Sequence, residues 1–126
     1  MRPIFDLQEG IVRFLATALT LLVSASSFAG TSEDRFRLVA AMAQEIKGMM
    51  RDPDSIIFES TLSNEDATVI CIRYRAKNGF GGMNREVMAY ANGKASKEPG
   101  FYKANCSRDG MIDMREASEF ARRHKE

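Results

Sequence analysis

The chain has 126 residues, 44% of them hydrophobic and 28% charged, with a formal net charge of +1. So even a balance argues against a nucleic-acid binder, which would be strongly basic. Two cysteines and a single histidine offer little material for a metal or Cys/His centre.

Residues 1–29 read as an export signal. Arg2 and Arg13 precede an apolar run over 14–23, and Ser27 and Ala29 satisfy the small-residue rule for a cut before Gly30. An uncleaved anchor is the rival reading, but a span needs about 20 apolar residues and this run is shorter. Asp6 and Glu9 make the leading region less basic than usual, and no cysteine near the cut offers a site for a lipid. Arg2 and Arg13 balance Asp6 and Glu9, so the remaining chain keeps its charge of +1. The expected address is periplasmic or secreted, with no stable membrane span after cleavage.

Residues 30–126 are expected to form a single small α+β domain. A domain of this size buries roughly 60–65% of its unfolded surface, so its core is thin. Residues 31–52 read as a helix. Thr31 or Ser32 can cap it, and Glu33 and Asp34 suit the positive end of its dipole. Phe36, Val39, Ala43, Ile46 and Met50 fall within about 80° of one another at helical spacing, with Met42 and Met49 at the margin. This Met-rich stripe reads as core, with a partner-binding face as the alternative. Pro53 ends the helix, and 51–55 is a turn by composition.

Residues 56–61 form a short β-type run, and 63–66 turn again. Residues 67–75 give the strongest strand signal, with Ile70, Ile72 and Tyr74 alternating against Cys71, Arg73 and Arg75. After the glycine loop, 86–91 reads as the returning strand, ended by Asn92-Gly93. Residues 94–100 read as a loop, 101–106 as a last short strand, and 111–123 as a second helix with Glu119 and Arg123 paired at i,i+4. The expected architecture is an N-terminal helix packed on a small antiparallel sheet of three to four strands, followed by a C-terminal helix.

An even cysteine count in an exported chain points to a disulfide between Cys71 and Cys106. The loop it closes would contribute roughly 4 kcal/mol in the chain-entropy picture. A catalytic thiol or metal ligand is the rival, without CxxC spacing to support it.

Gly79-Phe80-Gly81-Gly82 invites a ligand-cradle reading. A phosphate cradle needs a glycine loop that opens a helix, whereas this one lies between two strand signals and matches neither GxGxxG nor GxxxxGK[ST]. No nucleotide or other cofactor is expected. Arg73, Arg75, Lys77 and Arg85 lie on or near the same hairpin end. They could attract a carboxylate, a phosphate or an acidic partner, or could simply guard a strand edge. The candidate binding set is therefore Arg73, Arg75, Lys77, Phe80, Gly81, Gly82 and Arg85. No catalytic residue and no metal ligand is assigned. Ser55, Ser60, Ser63, Ser107 and Ser118 have no nearby histidine to act as base. Glu59, Glu65, Asp66 and Asp109 could pair only through the fold, and Asp52 and Asp54 are explained by capping and turn formation.

Residues 51–58, 69–71 and 76–83 together resemble a group of small exported bacterial and phage-associated proteins, often lipoproteins. Their shared pattern is DPxSxxF, a strand with VC, and AKNSFGGY. The resemblance implies an exported domain and no particular reaction. This chain departs from the pattern with Gly79 in place of serine, Met83 in place of tyrosine and Arg75 where an asparagine often stands.

Two functions are carried forward. One is a non-catalytic domain that binds an unknown protein or envelope component, with Phe80 as anchor. The other is a cell-envelope hydrolase whose carboxylate or serine site the fold assembles.

Overall fold

A computed structural model describes residues 31–106 and 109–124. The expected signal and Ser107 lie outside the described residues. The first helix, α1, spans Ser32–Met49. Thr31 caps it, its hydroxyl accepting from the Asp34 amide while the Asp34 carboxylate accepts from the Thr31 amide. This reciprocal pair satisfies two of the amides that a helix start leaves free. A single 3-10 turn, Pro53–Ser55, follows.

The strands are β1 (Ile57–Ser63), β2 (Ile70–Lys77), β3 (Met83–Ala91), β4 (Lys94–Ser96) and β5 (Ile112–Asp113). They form one antiparallel sheet in the order β4-β3-β2-β1-β5. Helix α2, Pro99–Asn105, leads from β4 towards β5, and helix α3, Arg115–Arg123, ends the described chain. The class is α+β, as expected, with five strands rather than three to four.

The alternation in β2 sorts the two faces of the sheet. Ile70, Ile72, Tyr74 and Ala76 point to one face and join Val39, Ala43 and Ile46 of α1 and Ala117 and Ala121 of α3 in the core. The α1 stripe thus buries itself against the sheet, and Phe36 and Met50 pack at its margin. Helices α1 and α3 pack together, with Phe36 and Phe120 edge to face at 5.8 Å. Lys47, on the same helix, is buried and donates from Nζ to the carbonyls of Ala121, Arg122 and His124 at 3.4, 2.8 and 3.4 Å. A lysine of one helix therefore caps the carbonyl end of another, where a cation is favoured.

The opposite face carries Cys71, Arg73, Arg75 and Lys77 of β2 beside Ala89, Val87, Arg85 and Met83 of β3. Its Cys71 end is covered. Helix α2 packs on β3 there, and its C-cap, Cys106, is bonded to Cys71 with the Cα atoms 6.0 Å apart. The expected disulfide is present.

Three expected elements are corrected. Residues 101–106 are not a strand. Pro99 opens a helix at a position where its missing N–H is not needed, and Phe101, Tyr102, Asn105 and Cys106 form its half-buried side. Residues 94–100 are not all loop: Asn92-Gly93 ends β3 as expected, but as a two-residue turn, with φ 54° and 72°, it leads directly into β4 over 94–96. The last helix begins at Arg115, because Ile112 and Asp113 pair with Ser63 and Leu62 first.

Candidate functional site

The loop between β2 and β3 is built around Asn78. Its backbone amide donates to the Gly82 carbonyl at 2.8 Å, and its Oδ1 accepts from the amides of Phe80 and Gly82 at 2.9 and 3.1 Å. Its Nδ2 donates to Asn84 Oδ1 at 3.0 Å. One asparagine side chain thus replaces the ladder that the loop cannot form. Gly81 has φ +85°, a region that favours glycine. At Gly79 a Cβ would meet the Arg51 guanidinium, the end of an exposed flexible side chain that has room to shift. Below the loop, the Lys77 amide donates to Ser55 Oγ at 2.9 Å, tying the hairpin to the 3-10 turn. At the apex of this braced loop stands Phe80, 99% exposed.

The register brings the four predicted cations to one sheet face. Arg75 lies directly opposite Arg85, Arg73 opposite Val87, and Lys77 opposite Met83. Arg75 and Arg85 would repel across the strands, and Glu59 relieves this. It accepts from Arg85 Nε at 2.8 Å. Glu59 reaches this face through a β-bulge. Phe58 pairs with Tyr74 and Ser60 with Arg73, so Glu59 is the extra residue. The Arg85 hydrogen bond holds the Glu59 carboxyl below the usual range, helped by the charges of Arg75 and Arg73. Arg75 Nε is buried without a hydrogen-bond partner.

Arg73 lies towards α2, with its guanidinium 5.9 Å from the Tyr102 ring centre. It joins Glu59, Tyr102, Asp113 and Arg115 in lining a cleft of about 410 Å³. A second opening of about 390 Å³ lies at the β3 edge, lined by Arg85, Glu86, Val87, Lys97 and Pro99 with Arg73 at its back. On the helix-side face, Tyr74 donates from its hydroxyl to Glu86 at 3.0 Å. Burial, with that bond second, pushes the phenol far above its usual range.

Of the predicted residues, Arg73, Arg75, Lys77 and Arg85 share one face, while Phe80, Gly81 and Gly82 form the loop at its end. Sequence reasoning missed Asn78, which organises the loop, and Glu59 and Tyr102, which the bulge and α2 bring to the arginines. Asn78 was readable in principle, because asparagine before a glycine run commonly bonds to amides two residues on. Among the described residues, no three of His, Cys, Asp and Glu gather in a way that could hold a metal ion. No helix among them is long and apolar enough to cross a membrane. No protein-family model, curated protein or solved structure matches the chain.

Proposed function

We propose that this protein is a small exported, disulfide-containing domain without catalytic activity that binds a protein or cell-envelope component through the loop end of the β2–β3 hairpin. Phe80 carries the reading. Its ring is wholly exposed on a loop that five hydrogen bonds through Asn78 hold in place. A loop backbone already held in place loses little freedom on binding, and aromatic and arginine residues dominate binding hot spots. Lys77, Arg75 and Arg85 supply the charge beside it, Gly81 and Gly82 shape the loop, and Arg73 extends the patch towards α2. The disulfide supports a periplasmic or secreted address, since such bonds persist in oxidising compartments. The pattern over 51–83 supports membership in the group of small exported bacterial and phage-associated proteins that it resembles. Pull-downs from envelope extract with wild type and with Phe80→Ala/Arg85→Ala test the reading. The double variant is expected to lose the specific partners, and an unchanged set contradicts it.

The hydrolase alternative has one observation in its favour, the presence of Glu59 and Asp113 in one cleft. The chemistry of the cleft weighs against it. Hydrolysis by paired carboxylates needs one acid held protonated near neutral pH, and Glu59 is shifted the other way. Asp113 lies 3.7 Å from Arg115. Ser60, also in the cleft, has no histidine beside it, because His124 stacks on Phe120 at 3.9 Å at the end of α3.

A further inference from the structure

The β3 strand is longer than the strand that covers it. β4 pairs only with Ala89, Tyr90 and Ala91. Among the described residues, no strand lies beside the outer edge of β3 over 83–87. The direction of the backbone groups there follows from the turn. In a two-residue hairpin the residues flanking the turn exchange hydrogen bonds, and alternate residues of an antiparallel strand direct both their groups to the same side. Ala91 and Lys94 flank the Asn92-Gly93 turn, so Ala91 and Ala89 face β4. By the same alternation Val87, Arg85 and Met83 direct their N–H and C=O groups to the open side. The Asn78–Gly82 bond at the other end of the strand agrees, since it places Asn84, Glu86 and Met88 on the β2-facing set.

Three donors and three acceptors in a row form a template for a further strand. The side chains around them define what suits it. Arg85, Arg75, Lys77 and Lys97 line or neighbour this edge, four cations against two anions, Glu59 paired with Arg85 and Glu86 lying 3.9 Å from Lys97. Met83 is 42% exposed at the loop end of the edge. We infer that the edge of β3 over 83–87 receives an extended acidic segment of a partner protein as an added strand, its carboxylates meeting Arg75, Arg85 and Lys97. This deepens the binding reading above and rests on it. A second copy of this chain fits poorly. A two-fold pairing confined to 83–87 must centre on Arg85, which would set Arg85 against its own copy and bring two basic faces together.

The test uses the disulfide-bonded protein and a fluorescein-labelled nine-residue peptide of alternating Glu and Val. Comparison probes are the same peptide N-methylated at alternate residues, its Lys/Val counterpart, and vesicles of anionic phospholipid. Val87→Pro is the matching protein variant. It removes an outward N–H that takes no part in the β2 ladder, and proline is tolerated at such edge positions. The acidic peptide is expected to bind, with protection of the Arg85 and Val87 amides from hydrogen exchange. N-methylation and Val87→Pro are each expected to weaken binding at least tenfold, and the Lys/Val peptide is expected not to bind. If Val87→Pro does not fold, the N-methylated peptide alone decides. Peptide binding that ignores N-methylation, vesicle binding without peptide binding, or a dimer that Val87→Pro dissolves would each overturn the inference. In envelope pull-downs, partners lost by Phe80→Ala/Arg85→Ala but kept by Val87→Pro would overturn the added strand alone. Partners kept by both would overturn the binding reading as well.

Discussion

Asn78 is the residue on which the loop depends, because all four of its polar groups hold backbone or side-chain partners across the turn. Asn78→Ala is expected to cost about 1 kcal/mol in urea unfolding and to speed hydrogen exchange at the Phe80 and Gly82 amides. Unchanged exchange would mean that the loop holds itself. Lys47 has a comparable role in the core. Lys47→Met keeps the stem but takes the side-chain donor from the Arg122 carbonyl, while Gln44 Nε2 still donates to the Ala121 and His124 carbonyls, and a loss of about 1–3 kcal/mol is expected by the same measurement. Three exposed carboxylates set the acid limit. Asp34 is held below its ordinary pKa by the Thr31 amide and then its hydroxyl, Glu59 by Arg85, and Asp66 by the Thr68 hydroxyl and amide. A depressed folded-state pKa stabilises above the unfolded value of about 4 and ceases to do so as pH falls through the folded one. Urea midpoints should therefore hold steady from neutral pH to about 5 and decline below about 4. Asp34→Asn/Glu59→Gln/Asp66→Asn should show a shallower decline.

Elements with a long, regular apolar pattern were legible in the sequence, and those made by context were not. The α1 stripe and the alternation of Ile70, Ile72 and Tyr74 predicted which faces meet, and Val39, Ala43 and Ile46 do pack in one core with that strand. β4 has no apolar face of its own, since Lys94, Ala95 and Ser96 are only partly covered or exposed. Its signal was the Asn92-Gly93 turn. β5 is two residues long and exists because β1 offers it an edge. The bulge at Glu59 leaves no mark in a run as polar as Glu59-Ser60-Thr61, yet it sends Glu59 to the arginines while Thr61 turns inward to donate to Ser118 at 2.8 Å. For the site, the cations of β2 and β3 could be read as one patch because strands alternate. The contact of Arg73 with Tyr102 could not, because it follows from α2, a helix whose Phe101 and Tyr102 also suit a strand.

For the whole molecule the disulfide is the main constraint on a thin core. It ties α2 to the sheet across the face that the other two helices leave open, and its loop predicts a contribution of roughly 4 kcal/mol. Thiol titration of denatured, unreduced protein should find no free thiol. Reduction should lower stability by about that amount and expose Cys71 and Ala89, now fully buried. The two faces of the sheet thus have different tasks. One is filled by α1 and α3, and the other, pinned at its Cys71 end, presents arginines and a braced aromatic loop. Photocrosslinking tests the proposed binding role of that loop most directly. A benzoylphenylalanine at position 80, with one at exposed Ala104 as control, would be irradiated in intact cells that produce the protein. A discrete crosslinked partner at 80, absent at 104 and lost on Arg85→Ala, is the expected result. No adduct at 80, or the same adducts at both positions, would contradict the binding role of the loop.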